Sequence, residues 1–328
     1  MRRRDLVGAL AALPPLWAGP ARAQQQQRRP RVGVLCPFSP GAAEAWHAAL
    51  EQGLAKRGWR PGDTVDLDYR FAEGNTARLA VLADELLRDG VDLLVTEVTE
   101  ATVVAKEATR TVPIVMVAVG DPVAANVVAS LAHPGGNVTG LSQNIVESVG
   151  KRLELLVSVV EPGTREVLVI WNPDEENSIL NWRELNASSA RIGVKLVSLE
   201  TRGQQELEKV LAAPAATGMR ALYVVPGPLF VTNLHRIAAF ARDARLASVF
   251  HLPEYVRLGG LLSYGPDRFD LFRRAAGYID RILHGARPAD LPVEQPVKYE
   301  LSINTATARA IGLRLTPLIL AQADETVE

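Results

Sequence analysis

From residue 31 onward, short uninterrupted apolar runs rich in Val, Ile and Leu alternate with longer stretches of helical periodicity. No other feature of the chain constrains its fold as strongly. An uninterrupted apolar run suits a strand covered on both faces. A repeated strand–helix–strand order closes as right-handed βαβ units on a parallel sheet. Strands are expected at residues 32–36, 65–69, 92–96, 113–117, 138–141, 167–171, 194–199, 221–225, 248–251 and 261–264. Helices are expected between them at 42–57, 76–88, 99–109, 145–160, 178–192, 204–213 and 229–244. Several of these end on a glycine, such as Gly58, Gly90 or Gly193.

The pattern restarts halfway. Strand 32–36 leads into Pro37-Phe38-Ser39-Pro40 and a helix with Trp46; strand 167–171 leads into polar loop 172–178 and a helix with Trp182. These two openings predict an α/β fold of two doubly wound parallel-sheet domains, and 328 residues is a natural length for two. The seam falls near 141–145. Beyond 264 come an amphipathic helix at 267–283, a Pro-bounded turn at 287–292 and an extended stretch at 293–303. That spacing lets the chain cross from the second domain to the first and back, which makes a multi-crossing hinge. The expected division is an N-terminal lobe of residues 31–142 plus 266–288 and a C-terminal lobe of 143–265 plus 289–328.

The first residues belong to export rather than to the fold. Arg2, Arg3 and Arg4 precede an apolar stretch at 6–17, and Ala21-Arg22-Ala23 is a small-x-small cleavage site. Residues 1–23 therefore read as a signal peptide cleaved after Ala23, of general secretory or twin-arginine type, followed by a polar tether at 24–30. The apolar stretch is too short, and too broken by Pro14 and Pro15, for membrane insertion. A periplasmic location is expected. Losing four Arg and one Asp takes the net charge from −1 to −4. With no basic stripe, no nucleic-acid partner is expected.

Chemistry-bearing motifs are scarce. No Gly-x-Gly-x-x-Gly follows a strand, and neither a phosphate-binding loop nor a Gly-x-Ser-x-Gly elbow occurs, so no cofactor and no catalytic residue is expected. The histidines His47, His133, His235, His251 and His284 stand far apart, and no metal is expected. Cys36, the lone cysteine, reads as a small core residue. Asp174, Glu175 and Glu176 read as solvated loop acids.

What remains is a set of polar loops at the C-terminal ends of strands, the edge where parallel α/β sheets hold ligands. Helices starting there aim free N–H groups at the crevice and favour an anion. The candidate ligand-binding residues are Phe38, Ser39, Glu97, Thr99, Gly120 and Asp121 in the first lobe. In the second they are Asn172, Asn177, Ser178, Pro226, Phe230, Tyr255 and Tyr264. Taken singly, Ser39, Thr99, Asn177 and Ser178 read more readily as helix caps; their recurrence at one sheet edge in both halves is what points to a shared cleft. Phe38, Phe230 and Tyr264 either wall the cleft or pack in the core.

Across the whole mature chain the sequence resembles the substrate-binding proteins of bacterial ABC transporters of the tryptophan/tyrosine type. The resemblance rests on Tyr69-Arg70-Phe71-Ala72-Glu73-Gly74-Asn75, on Gly120-Asp121-Pro122-Val123 and on His133-Pro134-Gly135-Gly136-Asn137-Val138-Thr139-Gly140-Leu141-Ser142. It continues through Asn172-Pro173-Asp174-Glu175-Glu176-Asn177-Ser178, Gly259-Gly260-Leu261-Leu262-Ser263-Tyr264-Gly265 and Leu291-Pro292-Val293-Glu294-Gln295-Pro296. It implies a type I periplasmic-binding-protein fold, a non-catalytic role, and a membrane permease with its cytosolic ATPase as partners. Two departures bear on the ligand. Val98-Thr99-Glu100-Ala101 stands where relatives tend to carry a Gly-Thr-Pro-Ala-like loop, and Gly227 stands where many carry an Asp. If that Asp receives a ligand ammonium, its absence argues against an α-amino acid unless Asp121, Glu97 or Glu100 substitutes.

The expected function is capture of a small polar solute, an amino acid or another carboxylate, by a monomer that closes about its hinge. The alternatives are a sensor whose closed form docks on a membrane receptor, and a two-domain enzyme such as a racemase. The latter needs a facing acid–base pair that a single cysteine does not provide.

Overall fold

The structure, a computed structural model, describes residues 28–160, 166–213 and 219–328. The expected signal peptide and most of the tether lie outside the described residues. The last tether residues are not free: Arg28 pairs with Asp92, and Arg29 with Asp66.

The first lobe carries β1 (Arg31–Cys36), α1 (Pro40–Ala55), β2 (Asp66–Phe71), α2 (Leu79–Arg88), β3 (Leu93–Glu97), α3 (Val98–Ala108), β4 (Ile114–Val119) and β5 (Val138–Ser142). Its five strands form a parallel sheet in the order β2-β1-β3-β4-β5. The second lobe continues with α4 (Val149–Val159), β6 (Glu166–Trp171), α5 (Glu176–Ile192), β7 (Lys195–Glu200), α6 (Gln204–Ala212) and β8 (Ala221–Val224). There follow α7 (Pro228–Thr232), α8 (Leu234–Asp243), β9 (Ala247–Phe250), α9 (Pro253–Arg257) and β10 (Leu262–Pro266). The chain ends with α10 (Arg268–Leu283), β11 (Tyr299–Asn304), α11 (Thr305–Ala310), α12 (Pro317–Gln322) and β12 (Glu325–Val327). The second sheet runs β12-β11-β10-β9-β8-β6-β7.

Burial explains the reading of the strands. β3, β4 and β5 are buried along their whole length, whereas edge strands β2 and β7 are only partly covered. The expected helix at 229–244 breaks at Asn233, whose Nδ2 donates to the Leu229 carbonyl (2.9 Å) and which also pairs with Gln204. The expected helix at 145–160 starts only at Val149, because residues 143–148 form the first crossing between lobes.

The second crossing leaves β10 and enters α10, which lies against α1 of the first lobe. The approach is close. A Cβ on Gly53 would stand 2.7 Å from the Arg273 carbonyl oxygen, and Trp59 Nε1 donates to Asp280 across the same seam (2.8 Å). The chain was expected to belong to the second lobe again from residue 289, but the structure delays that return. Thr139 Oγ1 donates to the Leu291 carbonyl, and Gly140 and Ser142 exchange backbone bonds with Glu294, so 291–294 still edge the first sheet. The third crossing is therefore 295–298. Because it arrives from the opposite direction, β11 pairs antiparallel with β10, the one departure from a parallel sheet among the described strands. Tyr299 Oη ties this crossing to the first by donating to the Asn144 carbonyl (3.1 Å).

Candidate ligand-binding cleft between the lobes

The C-terminal ends of both sheets face each other, and the lobes meet there directly. Trp46 Nε1 of α1 donates to Glu254 Oε1 of α9 (3.2 Å). A Cβ on Gly120, after β4, would stand 2.2 Å from Asn177 Oδ1 of α5, and one on Gly74, after β2, 3.2 Å from Thr232 Oγ1 of α7. Behind these contacts lies a small, partly enclosed space of about 10 Å³ lined by Phe38, Val98, Glu100, Asn177, His251 and Arg268, among others. It adjoins an open groove of about 710 Å³ whose lining includes Glu73, Glu100, Asn172, Glu175 and Arg202.

The structure brings together part of the expected set. Phe38, Asn177 and Pro226 line the enclosed space, and Asn172 lines the groove. Phe38 sits edge-on to Trp46, with centroids 5.4 Å apart. Gly120 sets the lobe-to-lobe contact. Thr99 and Ser178 brace the walls: Gly120 N donates to Thr99 Oγ1 (3.1 Å), and Asn172 N to Ser178 Oγ (3.0 Å). Neither they, nor Asn177, nor Ser39 caps a helix through its side chain.

Others are placed elsewhere. Ser39 begins α1 without lining either space, and Asp121 caps its own turn by accepting from Val123 N and Ala124 N (3.0 and 2.9 Å). Phe230 is core, and Tyr264 stacks on Tyr299 at the hinge. Tyr255 stacks on Phe250, with centroids 4.3 Å apart, and its buried hydroxyl has no partner.

Glu97 turns into the first lobe. His47 Nε2 and Glu97 Oε1 lie 2.5 Å apart, and Cys36 Sγ is within 4.8 Å of both. This is the only such His/Cys/carboxylate group among the described residues. Two donors on one zinc ion stand about 3.3 Å apart at tetrahedral angles and 2.0 Å bonds. At 2.5 Å, His47 and Glu97 are instead hydrogen-bonded to each other. Burial pulls the His47 pKa down, but the charge and hydrogen bond of Glu97 outweigh it and leave it raised.

Three further charged groups, Glu100, Glu175 and Arg268, line the cleft. Asp174 and Glu176 are exposed, as solvated loop acids should be, but Glu175 between them is buried, with its Oε2 unpartnered. Glu100, at the start of α3, is partly exposed along its stem, yet both carboxylate oxygens are shielded and without partners. Arg268, the first residue of α10, is buried with Nε and Nη1 unpartnered and lies over the Trp46 ring, 4.4 Å from its centroid. The contrast with Arg152 is instructive. That guanidinium, equally buried in the second lobe, donates to Tyr223 Oη, Ser148 Oγ and the Ile145 carbonyl. Arg152 is structural; Arg268 has donors to spare.

The backbone is also strained here. Val98 lines the enclosed space at φ 56°, a left-handed conformation that costs a β-branched residue about 1–3 kcal/mol.

Residues 31–327 match the family model described as ABC transporter substrate binding protein. The tyrosine-binding protein of Clostridioides difficile (strain R20291) is 27% identical over 263 residues, 80% of this chain and 75% of that protein. A conserved domain protein from Vibrio cholerae superposes with a TM-score of 0.84 at 28% identity, covering 91% of this chain and all of the other. A Streptococcus pneumoniae ABC domain in complex with L-Trp gives 0.82 at 25% identity, again over 91% of this chain and all of its own. With a type I periplasmic-binding fold and a match over nearly its whole length, the chain belongs to the family of ABC transporter substrate-binding proteins.

Proposed function

We propose that this protein captures a carboxylate-bearing solute, of the amino-acid class, in the cleft between its lobes and delivers it unchanged to a membrane permease driven by a cytosolic ATPase. The observation that carries the reading is Arg268. A buried guanidinium with two unpaired nitrogens is costly in isolation, and its planar fork suits a carboxylate. It sits where the second crossing enters the first lobe, so an anion bound there is gripped at the hinge. Asn177 and Pro226 of the other lobe line the same space, and ligand contacts on both sides select the closed form. The relatives named for tyrosine or solved with L-Trp make amino acids the first compounds to try.

A micromolar ligand needs about −8 kcal/mol. A few charge-assisted hydrogen bonds at roughly 1.5–3 kcal/mol each supply it after ordering costs. Export through the N-terminal signal and action in the periplasm belong to the same proposal.

The test is a thermal-shift screen of refolded residues 24–328 against amino acids, other small carboxylates, nucleobases and sugars. A ligand at one hundred times its Kd adds about 2.7 kcal/mol, roughly 2–4 °C. A saturable shift by carboxylates that Arg268→Met abolishes supports the reading. Stabilisation by sugars alone overturns the carboxylate assignment, and a compound recovered chemically altered overturns the transport role.

A further inference from the structure

Resting on that reading, we propose that Glu100 and Glu175, one carboxylate from each lobe, jointly hold a protonated amine of the ligand and release a shared proton as it binds. The cleft would then read two ends of a zwitterion, with Arg268 on the carboxylate and the glutamate pair on the nitrogen.

The placement comes first. Glu100 lines both the enclosed space and the open groove, so it stands at their junction. Glu175 lines the groove, and its Oε2 lies 2.8 Å from where a Cβ on Gly227 would stand; Gly227 lines the enclosed space. Both carboxylates thus reach the same junction from opposite lobes. Glu97 and Asp121, the other acids considered for an amine, are committed to His47 and to a turn respectively. Glu97 keeps one oxygen without a partner, but only Glu100 of the three has both carboxylate oxygens buried and unpartnered.

Helix capping does not account for the pair. A carboxylate at a helix N-terminus gains about 0.3–1 kcal/mol from the dipole, whereas burying an ionised carboxylate unpaired costs several. Nor do neighbouring cations neutralise it. Arg202, the one cation lining the groove, is tied to Glu200 and Asp174. The other charges lining the groove are Glu73, Asp174 and Glu176, all acids. On the inner side, Arg268 of α10 is the cation, facing Glu97 of β3 and Glu254 of α9, with His251 after β9 held neutral by burial and by Arg268. The groove is therefore an approach favourable to a cation.

Geometry and charge agree on the proton. Burial raises Glu100 to about 7, against a smaller lowering by Arg268. Burial and the charge of Glu100 raise Glu175 well above the usual range. In the closed cleft without an amine, the pair therefore keeps a proton at neutral pH. An ammonium arriving between the two carboxylates favours their ionised forms and displaces it to solvent. Atoms balance: the amine enters protonated, and the leaving proton comes from a carboxyl group.

The test is calorimetric titration of the full mature chain with matched pairs of probes: L-tyrosine and 3-(4-hydroxyphenyl)propionate, L-tryptophan and indole-3-propionate, L-leucine and 4-methylpentanoate. The expected result is at least tenfold tighter binding of the amine-bearing member, with the difference abolished in Glu100→Gln and in Glu175→Gln. Repeating the wild-type titration in two buffers of different ionisation enthalpy should show at least about one proton released near pH 6.5. Affinity should fall up to about tenfold per pH unit below the titration of the pair. Equal binding of both members, or no proton release, overturns this inference while leaving carboxylate capture intact. Binding of sugars alone overturns both. The proton count uses wild-type protein, so it stands even if a variant misfolds.

Discussion

Gly120→Ala should act as a doorstop between the lobes. The added Cβ would lie 2.2 Å from Asn177 Oδ1, roughly 1 Å or more inside ordinary contact. Asn177 cannot simply swing aside. It is buried, its Oδ1 accepts from Asn181 Nδ2 (3.2 Å), and its Nδ2 points to the Pro226 carbonyl (3.5 Å). Overpacking of this kind costs about 1–3 kcal/mol. Because Gly120 and Asn177 belong to different lobes, the cost falls on the closed form alone. Ligand affinity should drop roughly 5- to 150-fold, while the thermal midpoint of the unliganded protein stays put. Calorimetry with the most stabilising compound of the screen reads the first, and small-angle scattering reads the loss of ligand-induced compaction. The double variant Gly120→Ala/Asn177→Ala removes the obstacle and should recover part of the affinity, giving a coupling of at least about 0.5 kcal/mol. Wild-type affinity and compaction in Gly120→Ala, or a strictly additive cycle, would refute the claim that these residues meet on closure.

Other expectations are simpler. Gly53→Ala forces α10 off α1 and should lower unfolding stability by about 1–3 kcal/mol in denaturant melts. Tyr223→Phe removes the acceptor of Arg152 Nε, which lies 2.7 Å away; it should cost about 1–3 kcal/mol of stability and leave ligand affinity unchanged by calorimetry. The His47–Glu97 pair stabilises the fold while His47 is protonated. As the folded His47 pKa lies above its ordinary 6.5, that contribution is full below pH 6.5 and fades as pH rises through the raised value. Melts across pH 6–9 should show this decline in the wild type and a flatter profile in Glu97→Gln. Without ligand, closure should weaken as pH rises from 5 to 8, because Glu100, at about 7, ionises opposite Glu175. Scattering should then show the radius of gyration growing over that range.

The architecture was legible because its signals are local. Continuous runs such as Val32–Cys36 and the fully buried β4 can be read from a few adjacent residues, and so can the restart at 167. The shift of the third crossing from 289 to 295 was not legible, because only a backbone partner across the sheet distinguishes 291–294 from a linker. The site was half legible. Loops at the strand ends were located, but which of their side chains face inward depends on the other lobe. Glu175 looked solvated because its neighbours are, and Arg268, within the amphipathic helix at 267–283, carries no motif that sets it apart. Phe38 and Trp46 of the first lobe and Glu254 and Tyr255 of the second surround it. Glu100 was visible as an unusual residue, and its lack of partners emerges only in three dimensions.

The threefold crossing also dictates the order in which the molecule can be finished. Trp59 waits 221 residues for Asp280, which at about 5–20 residues per second of synthesis is roughly 10–45 s. Through that interval the face of α1 that carries Trp46, Leu50 and Leu54 has no α10 to cover it. The first sheet gains its last edge only at Glu294, and the second gains β12 only at Val327. The two lobes are thus completed almost together, at the very end of the chain. Neither half of the sequence, cut at the apparent boundary near residue 143, contains a whole lobe.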